Sequence, residues 1–449
     1  MTESHSLTIP PGAPGSPGSP GKADDPGLAV GRDATPAGGR RGTAPNGGRA
    51  RALTARADRA LVGLRVFAVE DTAVQLTWSA MGADPVVIGV GPRSHTVAPN
   101  PPAILHQWGL HDRPLSDRAG GPGSLIVDGL APSTTYDIWL ASPGAPAASR
   151  RVVGLLRTLD PPPGRLLFRF ASVSDVHIGE RAFGFRHRIR EGPELGGPSA
   201  LVCLSAAMAE ARAWGAELVV ARGDLTRNSR PAEFEQAARV LAGAGMPAVG
   251  VLGNHDVRRR SNGLGVCGPL GLELTDDVAY RDHPGVRIVL AHSPLVHEHQ
   301  GDLPERRIAR IAEVCAVPLP TVLVMHHPLS VRWRGYAYPP GVPAGQSAKL
   351  TAALRAVNPN VVVLAGHRHR HRRYRVGGIT VGELGSTKDY PGAWAGYAVH
   401  EGGIRQVVRR VGDPSALAWT EATGNALLGG WARWSPGRLE ERCWSLAWS

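Results

Sequence analysis
Lysine is almost missing from this chain. Of 449 residues only Lys22, Lys349 and Lys388 carry an ammonium side chain, so the formal net charge of +12 rests almost wholly on arginine. With 57 Gly and 39 Pro alongside, that bias reads as a compositional habit rather than a surface shaped for polyanions. No base-stacking or groove-reading element accompanies it, so nucleic acid is not favoured as a partner. Cysteine is scarce too. Cys203, Cys267, Cys315 and Cys443 are scattered without CxxC spacing, which excludes a cysteine-built metal site and makes buried free thiols the expectation. No apolar run approaches the ~20 residues that span a bilayer. Met1 to Pro20 lacks the basic and apolar regions of a secretory signal, so a cytoplasmic protein with no membrane partner is expected.

What is present divides along the chain. Residues 1–57 are rich in Gly, Pro, Ala, Ser and Arg with almost no large apolar side chain, the composition of a disordered segment. From about Leu61 alternation sets in around Val66, Val74, Leu76 and Trp78. Val86–Val90, Ser124–Val127, Tyr136–Ala141 and Val152–Thr158 follow as short strands between Gly/Pro/Asp turns. That spacing predicts a β-sandwich over 58–158. Leu76-Thr77-Trp78-Ser79, followed by Leu130-Ala131-Pro132-Ser133-Thr134-Thr135-Tyr136, resembles the fibronectin type III pattern of a core Trp and a later Leu-x-Pro-x-x-x-Tyr corner.

Pro161-Pro162-Pro163-Gly164 is a stiff connector, and the texture changes beyond it. Phe168–Val173, Leu218–Ala221, Ala248–Leu252, Val322–Met325 and Val361–Leu364 read as buried strands. Helices are expected between them, one capped by Ser199 with Leu201, Leu204, Met208 and Ala211 on one face, another opened by Ser229 and Pro231. The alternation is that of an α/β domain over 165–412. In the remaining stretch, 413–449, Trp419, Trp431, Trp434, Trp444 and Trp448 are expected to pack back onto the body.

Each buried strand ends in a polar cluster. These are Ser174-Asp175-Val176-His177, Gly223-Asp224, Gly253-Asn254-His255-Asp256, His326-His327 and Gly366-His367-Arg368-His369. Carboxyl ends of strands in open α/β sheets converge on one crevice, so residues remote in sequence meet there. Asp175 and His177 share a direction if the chain leaves strand geometry, and the same holds for His367 and His369. Glycines 223, 253 and 366 are expected to let the backbone turn sharply. Seven oxygen and nitrogen donors exceed one tetrahedral zinc and suit two divalent cations of higher coordination. The donor mixture favours Mn, Fe, Zn, Co or Ni over magnesium or calcium.

In order and form the clusters resemble the calcineurin-like metallophosphoesterase family: Asp-x-His, Gly-Asp, Gly-Asn-His-Asp, His, Gly-His-x-His. The resemblance implies two β-sheets flanked by helices, here preceded by the small all-β sandwich. It further implies that Asp175, His177 and His369 hold one metal, that Asn254, His326 and His367 hold the other, and that Asp224 bridges them. His255 would contact phosphate or protonate the leaving group. Of the adjacent histidines the family pattern favours His326, with His327 turned away or hydrogen-bonded. The implied activity is hydrolysis of a small phosphate ester by a hydroxide bridging the metals.

An N-terminal sandwich also resembles that of purple acid phosphatases. Those enzymes, however, carry Asp-x-Gly at the first cluster and a ligand Tyr three residues after the second Asp, where this chain has His177 and Arg227. A guanidinium cannot replace a tyrosinate. Asp-x-His is closer to class III cyclic-nucleotide phosphodiesterases and glycerophosphodiesterases, so a phosphodiesterase is expected, with a phosphomonoesterase or a nuclease as alternatives. A non-catalytic scaffold would have eroded ligands, and none is missing. Arginines at 181, 186, 188, 190 and 258–260, with His187, follow the first and third clusters and are candidate phosphate contacts. His292, His297 and His299 read as surface or substrate-loop residues.

Overall fold
The computed structural model describes residues 60–259, 263–331 and 338–449, so the segment expected to be disordered lies outside the described residues, as does Arg260. The described residues belong to one compact unit. Its first part is all β. Arg65–Val69, Val74–Trp78 and Gly123–Val127 make a three-stranded antiparallel sheet, and Arg151–Arg157, Thr135–Ala141, Val86–Val90 and Arg93–Val97 a four-stranded one. Phe67, Leu76, Trp78, Ile88, Ile138 and Leu140 from the two sheets share a core. The Tyr corner is formed: the Ala131 amide donates to the Tyr136 hydroxyl at 2.8 Å, and Ser133 turns the chain at φ 53°.

The second part is two sheets packed face to face. One has seven strands, ordered Leu272–Thr275, Ala248–Val251, Leu218–Ala221, Leu166–Val173, Ala393–His400, Gly403–Arg410, Trp444–Ala447. Its first four run parallel and the rest antiparallel. The other has six, ordered Val278–His283, Val286–Ala291, Thr321–Val324, Val361–Ala365, Ile379–Glu383, Arg372–Val376. The central strands are apolar on both faces because a common core fills the space between the sheets and helices cover the outside. Helix Ser199–Ala213 buries Cys203, Leu204, Ala207, Met208 and Ala211. Its cap is Pro198 rather than Ser199, whose amide is taken by the Glu191 carboxylate at 2.7 Å. Helix Pro231–Ala242 begins one residue after Arg230, with Glu233 accepting from the amides of Asn228 (2.8 Å) and Arg230 (3.3 Å).

The sandwich is tied to the α/β part at two places. Glu70, 5% exposed, pairs with Arg405 and Arg409 and accepts from the Trp214 indole, while Gln75 exchanges hydrogen bonds with the Arg410 backbone. Elsewhere Ile104–Gln107 pairs with Ile189–Arg190, which pairs with Ala182–Phe183, so one small sheet is built from both regions. Arg222 braces the core below the strand ends. It donates to Ser172 of the larger sheet (2.7 Å) and to the carbonyls of Ala365 (3.1 Å) and Gly382 (3.3 Å) of the smaller.

Candidate metal centre
The five clusters meet at the carboxyl ends of the central strands, where the chain leaves strand geometry. Asp175, His177, Asp224, His367 and His369 all have left-handed backbone, with φ of 52°, 51°, 52°, 74° and 50°. They are five of the twelve non-glycine residues so placed among the described residues. Each such residue costs about 1–3 kcal/mol, and the cost is tolerated where surrounding contacts fix the backbone. Here Asp175 N donates to Gly223 O (3.1 Å), His177 N to Asp224 O (2.9 Å) and the His367 amide to the Asp175 carboxylate (3.0 Å). The turns at Asp175–His177 and His367–His369 are what aim both members of each pair inward. Of the three glycines, Gly223 has the positive φ (85°) that a sharp turn needs. Gly253 and Gly366 serve by size: a Cβ there would lie 2.2 Å from Asp224 Oδ1 and 1.9 Å from Ser174 Oγ.

The side chains converge. Asp224 Oδ2 lies 3.4 Å from His326 Nε2 and 3.7 Å from His177 Nε2, and Asp175 Oδ1 lies 3.4 Å from His369 Nε2. His326 Nε2 is 3.2 Å from Asn254 Oδ1, and the Nε2 atoms of His177 and His369 face each other at 3.1 Å. Donor atoms of Asp175, His177 and His369 fall within 4.8 Å of one another, as do those of Asp175, Asp224 and His326. His327 is hydrogen-bonded, one of the two outcomes expected, its Nδ1 meeting Ser293 Oγ at 2.9 Å. Its Nε2 is buried without a partner, and one of its ring nitrogens lies within 4.8 Å of donors from His326 and His367.

Ring orientation is set from behind. His326 Nδ1–H donates to the Arg222 carbonyl at 2.7 Å, and His369 Nδ1–H donates to Asp389 Oδ2 at 2.7 Å, leaving each Nε2 lone pair aimed at the cluster. Asp389 escaped the sequence reading. It is held by Lys388, fully buried, whose Nζ lies 2.7 Å from both Asp389 and Glu180. A lysine in a chain nearly free of lysine was the available signal.

Electrostatics say what the cluster lacks. Burial, aided by neighbouring histidine charge, holds His177 and His367 well below the ordinary imidazole range. Burial would do the same to His326, but the carboxylates of Asp224 and, less, Asp175 together outweigh it and lift that ring to about 9; burial also pulls His369 down, and Asp175 and Asp389 together raise it. The buried Asp224 carboxylate thus faces a protonated His326, burial raises Asp175, and His177 Nδ1 and His367 Nε2 have no hydrogen-bond partner. Unpartnered imidazole nitrogens beside buried carboxylates are the donor set a divalent cation takes, so these residues fit metal ions.

His255 lies edge-on to His177 with ring centroids 4.5 Å apart. Its Nδ1–H donates to the Arg227 carbonyl (3.0 Å), and its Nε2 accepts from Arg258 (3.2 Å). Burial lowers its pKa against the pull of Asp224, and Arg258 adds to the lowering. Asp256 supports the loop by accepting from the amides of Gly253, Leu225 and Thr226. Of the expected phosphate-contacting arginines, Arg258 reaches the site's edge, whereas Arg181 is paired to Glu191. Arg227, which stands where a ligand tyrosine would be, is paired to Glu180.

A cavity of about 580 Å³ opens above the cluster, with Asp224, Asn254, His255, His367 and His369 at its floor and His299 in its lining. Of the five C-terminal tryptophans, Trp419 and Trp444 are buried and Trp431 and Trp448 pack against the core, as expected; Trp431 also lines this cavity, together with Trp434.

Residues 168–402 match the model of the calcineurin-like phosphoesterase superfamily domain. Over 177 residues the chain is 27% identical to a cAMP/cGMP dual specificity phosphodiesterase from Mycobacterium tuberculosis (strain CDC 1551 / Oshkosh), covering 38% of this chain and 54% of that protein. The match spans about half of that relative's length. Among solved structures, a purple acid phosphatase from yellow lupin (Lupinus luteus) seeds aligns over 79% of this chain and 73% of its own, with 15% identity and a TM-score of 0.37. PhoD aligns over 79% and 87%, with 11% identity and a TM-score of 0.35. No helix among the described residues is long and apolar enough to cross a membrane.

Proposed function
The chain belongs to the calcineurin-like phosphoesterase superfamily, and from that premise we propose that it hydrolyses phosphate esters, phosphodiesters in preference, with two divalent cations. Asp175, His177 and His369 hold one cation, Asn254, His326 and His367 the other, and Asp224 serves both. The observation that carries this is the Asp224 carboxylate, within 3.7 Å of an imidazole from each set. Mn, Fe, Zn, Co and Ni all suit the donors. When bound, such cations activate water and clamp the phosphoryl oxygens. His255, at the cavity floor, contacts the phosphate and is positioned by Arg227 and Arg258.

The preference for diesters is supported by the cavity lining: among its described residues Arg368 is the one arginine or lysine, and it is committed to Glu383 at 2.9 Å, whereas a monoester dianion would gain from added cationic donors. We assign residues 58–158 to a fibronectin type III-like sandwich, 165–412 to the phosphoesterase domain and 413–449 to an extension. A cytoplasmic setting belongs to the same proposal, supported by four buried cysteines left as thiols. The test is hydrolysis of bis(nitrophenyl) phosphate and nitrophenyl phosphate by Mn-reconstituted protein. Diester turnover with two bound metal equivalents is expected. A monoester preference beyond about tenfold in kcat/KM would overturn the diester part, and failure to bind metal would overturn the whole.

A further inference from the structure
The cavity above the metal cluster has a wall that the chemistry on its floor does not require. Phe183, Leu427, Trp431 and Trp434 stand on one side of it, with Tyr338 also in the lining. The aromatic members touch one another: Phe183 and Trp431 meet edge-on at 5.4 Å between centroids, and Trp431 and Trp434 at 5.1 Å. Trp431 is 6.3 Å from the ring of His369, so the wall begins where the proposed metal ligands end.

This wall is held in position. Trp431 and Trp434 lie on the short helix Gly430–Trp434, and Ser435 just beyond it ties that helix to the centre. The Ser435 hydroxyl donates to the Tyr390 carbonyl (2.8 Å), and its own carbonyl accepts from the amide of His371, two residues past His369 (2.9 Å). Phe183 is fixed from the other direction by the small sheet that includes Ile104–Gln107 of the sandwich. The C-terminal extension therefore lines the cavity, and the sandwich backs it through the strand that pairs with Phe183's.

At the rim Leu427 is 67% exposed and Leu428 fully so, and both have left-handed backbone, φ 54° and 56°. Exposed leucines in that conformation gain nothing for folding, and such outliers cluster where a ligand is clamped. The cavity size is that of a small-molecule site, and the wall offers apolar and aromatic surface in place of charge.

We propose that Phe183, Leu427, Trp431 and Trp434 form a subsite for a flat aromatic ring carried on the phosphate ester, so that the substrate is an aryl or heteroaryl-bearing ester rather than an alkyl or glycerol one. This rests on the phosphoesterase reading above and specifies its substrate class. A ring seated there stacks on indole faces while its phosphate reaches the floor.

The experiment measures binding of phenylphosphonate and methylphosphonate, neither of which is hydrolysed, to the full chain reconstituted with Mn, by calorimetry. Phenylphosphonate is expected to bind about tenfold or more tighter, as one stacked ring provides. Trp434→Ala and Leu427→Ser should erase most of that ratio while leaving methylphosphonate affinity unchanged, and Trp434→Phe should retain it. Leu427 is exposed, so its variant keeps the test valid should the tryptophan variant unfold. Equal affinities in wild type, or equal losses for both ligands in the variants, would overturn the subsite. Hydrolysis of bis(nitrophenyl) phosphate by the same preparation separates the two readings. Turnover without phenyl preference removes the subsite alone, and phenyl preference without turnover removes the reaction alone.

Discussion
The N-terminal sandwich and the strand ends of the α/β part use polar groups in opposite ways. In the sandwich the polar side chains close local structure. Tyr136 receives the Ala131 amide, and Thr158 bonds to Thr134 and Ala131. The Trp78 indole N–H is the unpartnered buried side-chain donor among the described sandwich residues. At the strand ends five donors sit on left-handed backbone, carboxylates are buried, and imidazole nitrogens have no partner. One region has spent its polar groups on folding, and the other holds them in reserve at the expense of stability. That contrast, more than burial or conservation of shape, marks the second region as chemical.

The comparison would break most visibly at Asp224. Asp224→Ala should reduce bound metal at both positions and lower diester turnover by about three orders of magnitude or more, since the charge stabilisation of the phosphoryl group is lost. The fold should persist, because the strands beneath the site keep their apolar packing, although metal-free protein loses the Asp224–His326 pair. Elemental analysis and kcat/KM check this, and retention of two metals would refute the shared-ligand geometry. In the sandwich the converse holds. Trp78→Ala deletes a side chain 2% exposed and should cost about 3–5 kcal/mol of stability, read by denaturant unfolding. Metal stoichiometry of the protein that remains folded should be unchanged.

A pH series sharpens the contrast. His326, fully buried, is lifted to about 9 because Asp224 and, less, Asp175 together outweigh burial, so in metal-free protein its charged form is stabilising. A raised imidazole contributes fully below its unfolded value of about 6.5, and the contribution is lost as pH rises through about 9. Metal-free protein should therefore lose on the order of 3 kcal/mol between pH 6 and 10, with Asp224 counted as the same pair. Metal-loaded protein should show the opposite trend, because cations compete with those protons. His326→Gln should flatten the metal-free curve, and an unaltered slope would show that another group titrates.

Much of this was legible in sequence. The strands Leu218–Ala221 and Val86–Val90 occur as read, and the five clusters meet, because each is a contiguous string at the end of an apolar run. What escaped depends on distance along the chain. Asp389 reaches His369 across twenty residues and a strand pair, and nothing local distinguishes it from a turn aspartate. Lys388 beside it was a usable clue. A compact ammonium fits between two carboxylates at 2.7 Å where a planar guanidinium would not, so lysine survives there in an arginine-biased chain. Trp431 and Trp434 sit on a five-residue helix, too short for periodicity to tell a core face from a cavity wall. The later strands from Ala393 to Arg410 are buried along their whole length although they carry arginines, because Arg405 and Arg409 pair with Glu70 of the sandwich, a partner over three hundred residues away.

Asp389 and Tyr136 set the small-effect end of the same comparison, since each acts from behind a functional or structural group: Asp389 bonds to His369 and Lys388, Tyr136 to the Ala131 amide. Asp389→Asn keeps shape but weakens the grip on His369 Nδ1–H, and should lower metal affinity about 10–100-fold with little change in the sandwich. Competition with a chelator reads it, and unaltered affinity would make Asp389 merely structural. Tyr136→Phe removes only the hydroxyl that receives the Ala131 amide. The ring stays packed and the freed amide is exposed to water, so the loss should be about 1 kcal/mol. A Tm lower by a few degrees with chelator competition unchanged is expected. If metal affinity fell as well, the sandwich would be coupled to the centre through the sheet shared with Phe183, and the division of labour between the two regions would have to be given up.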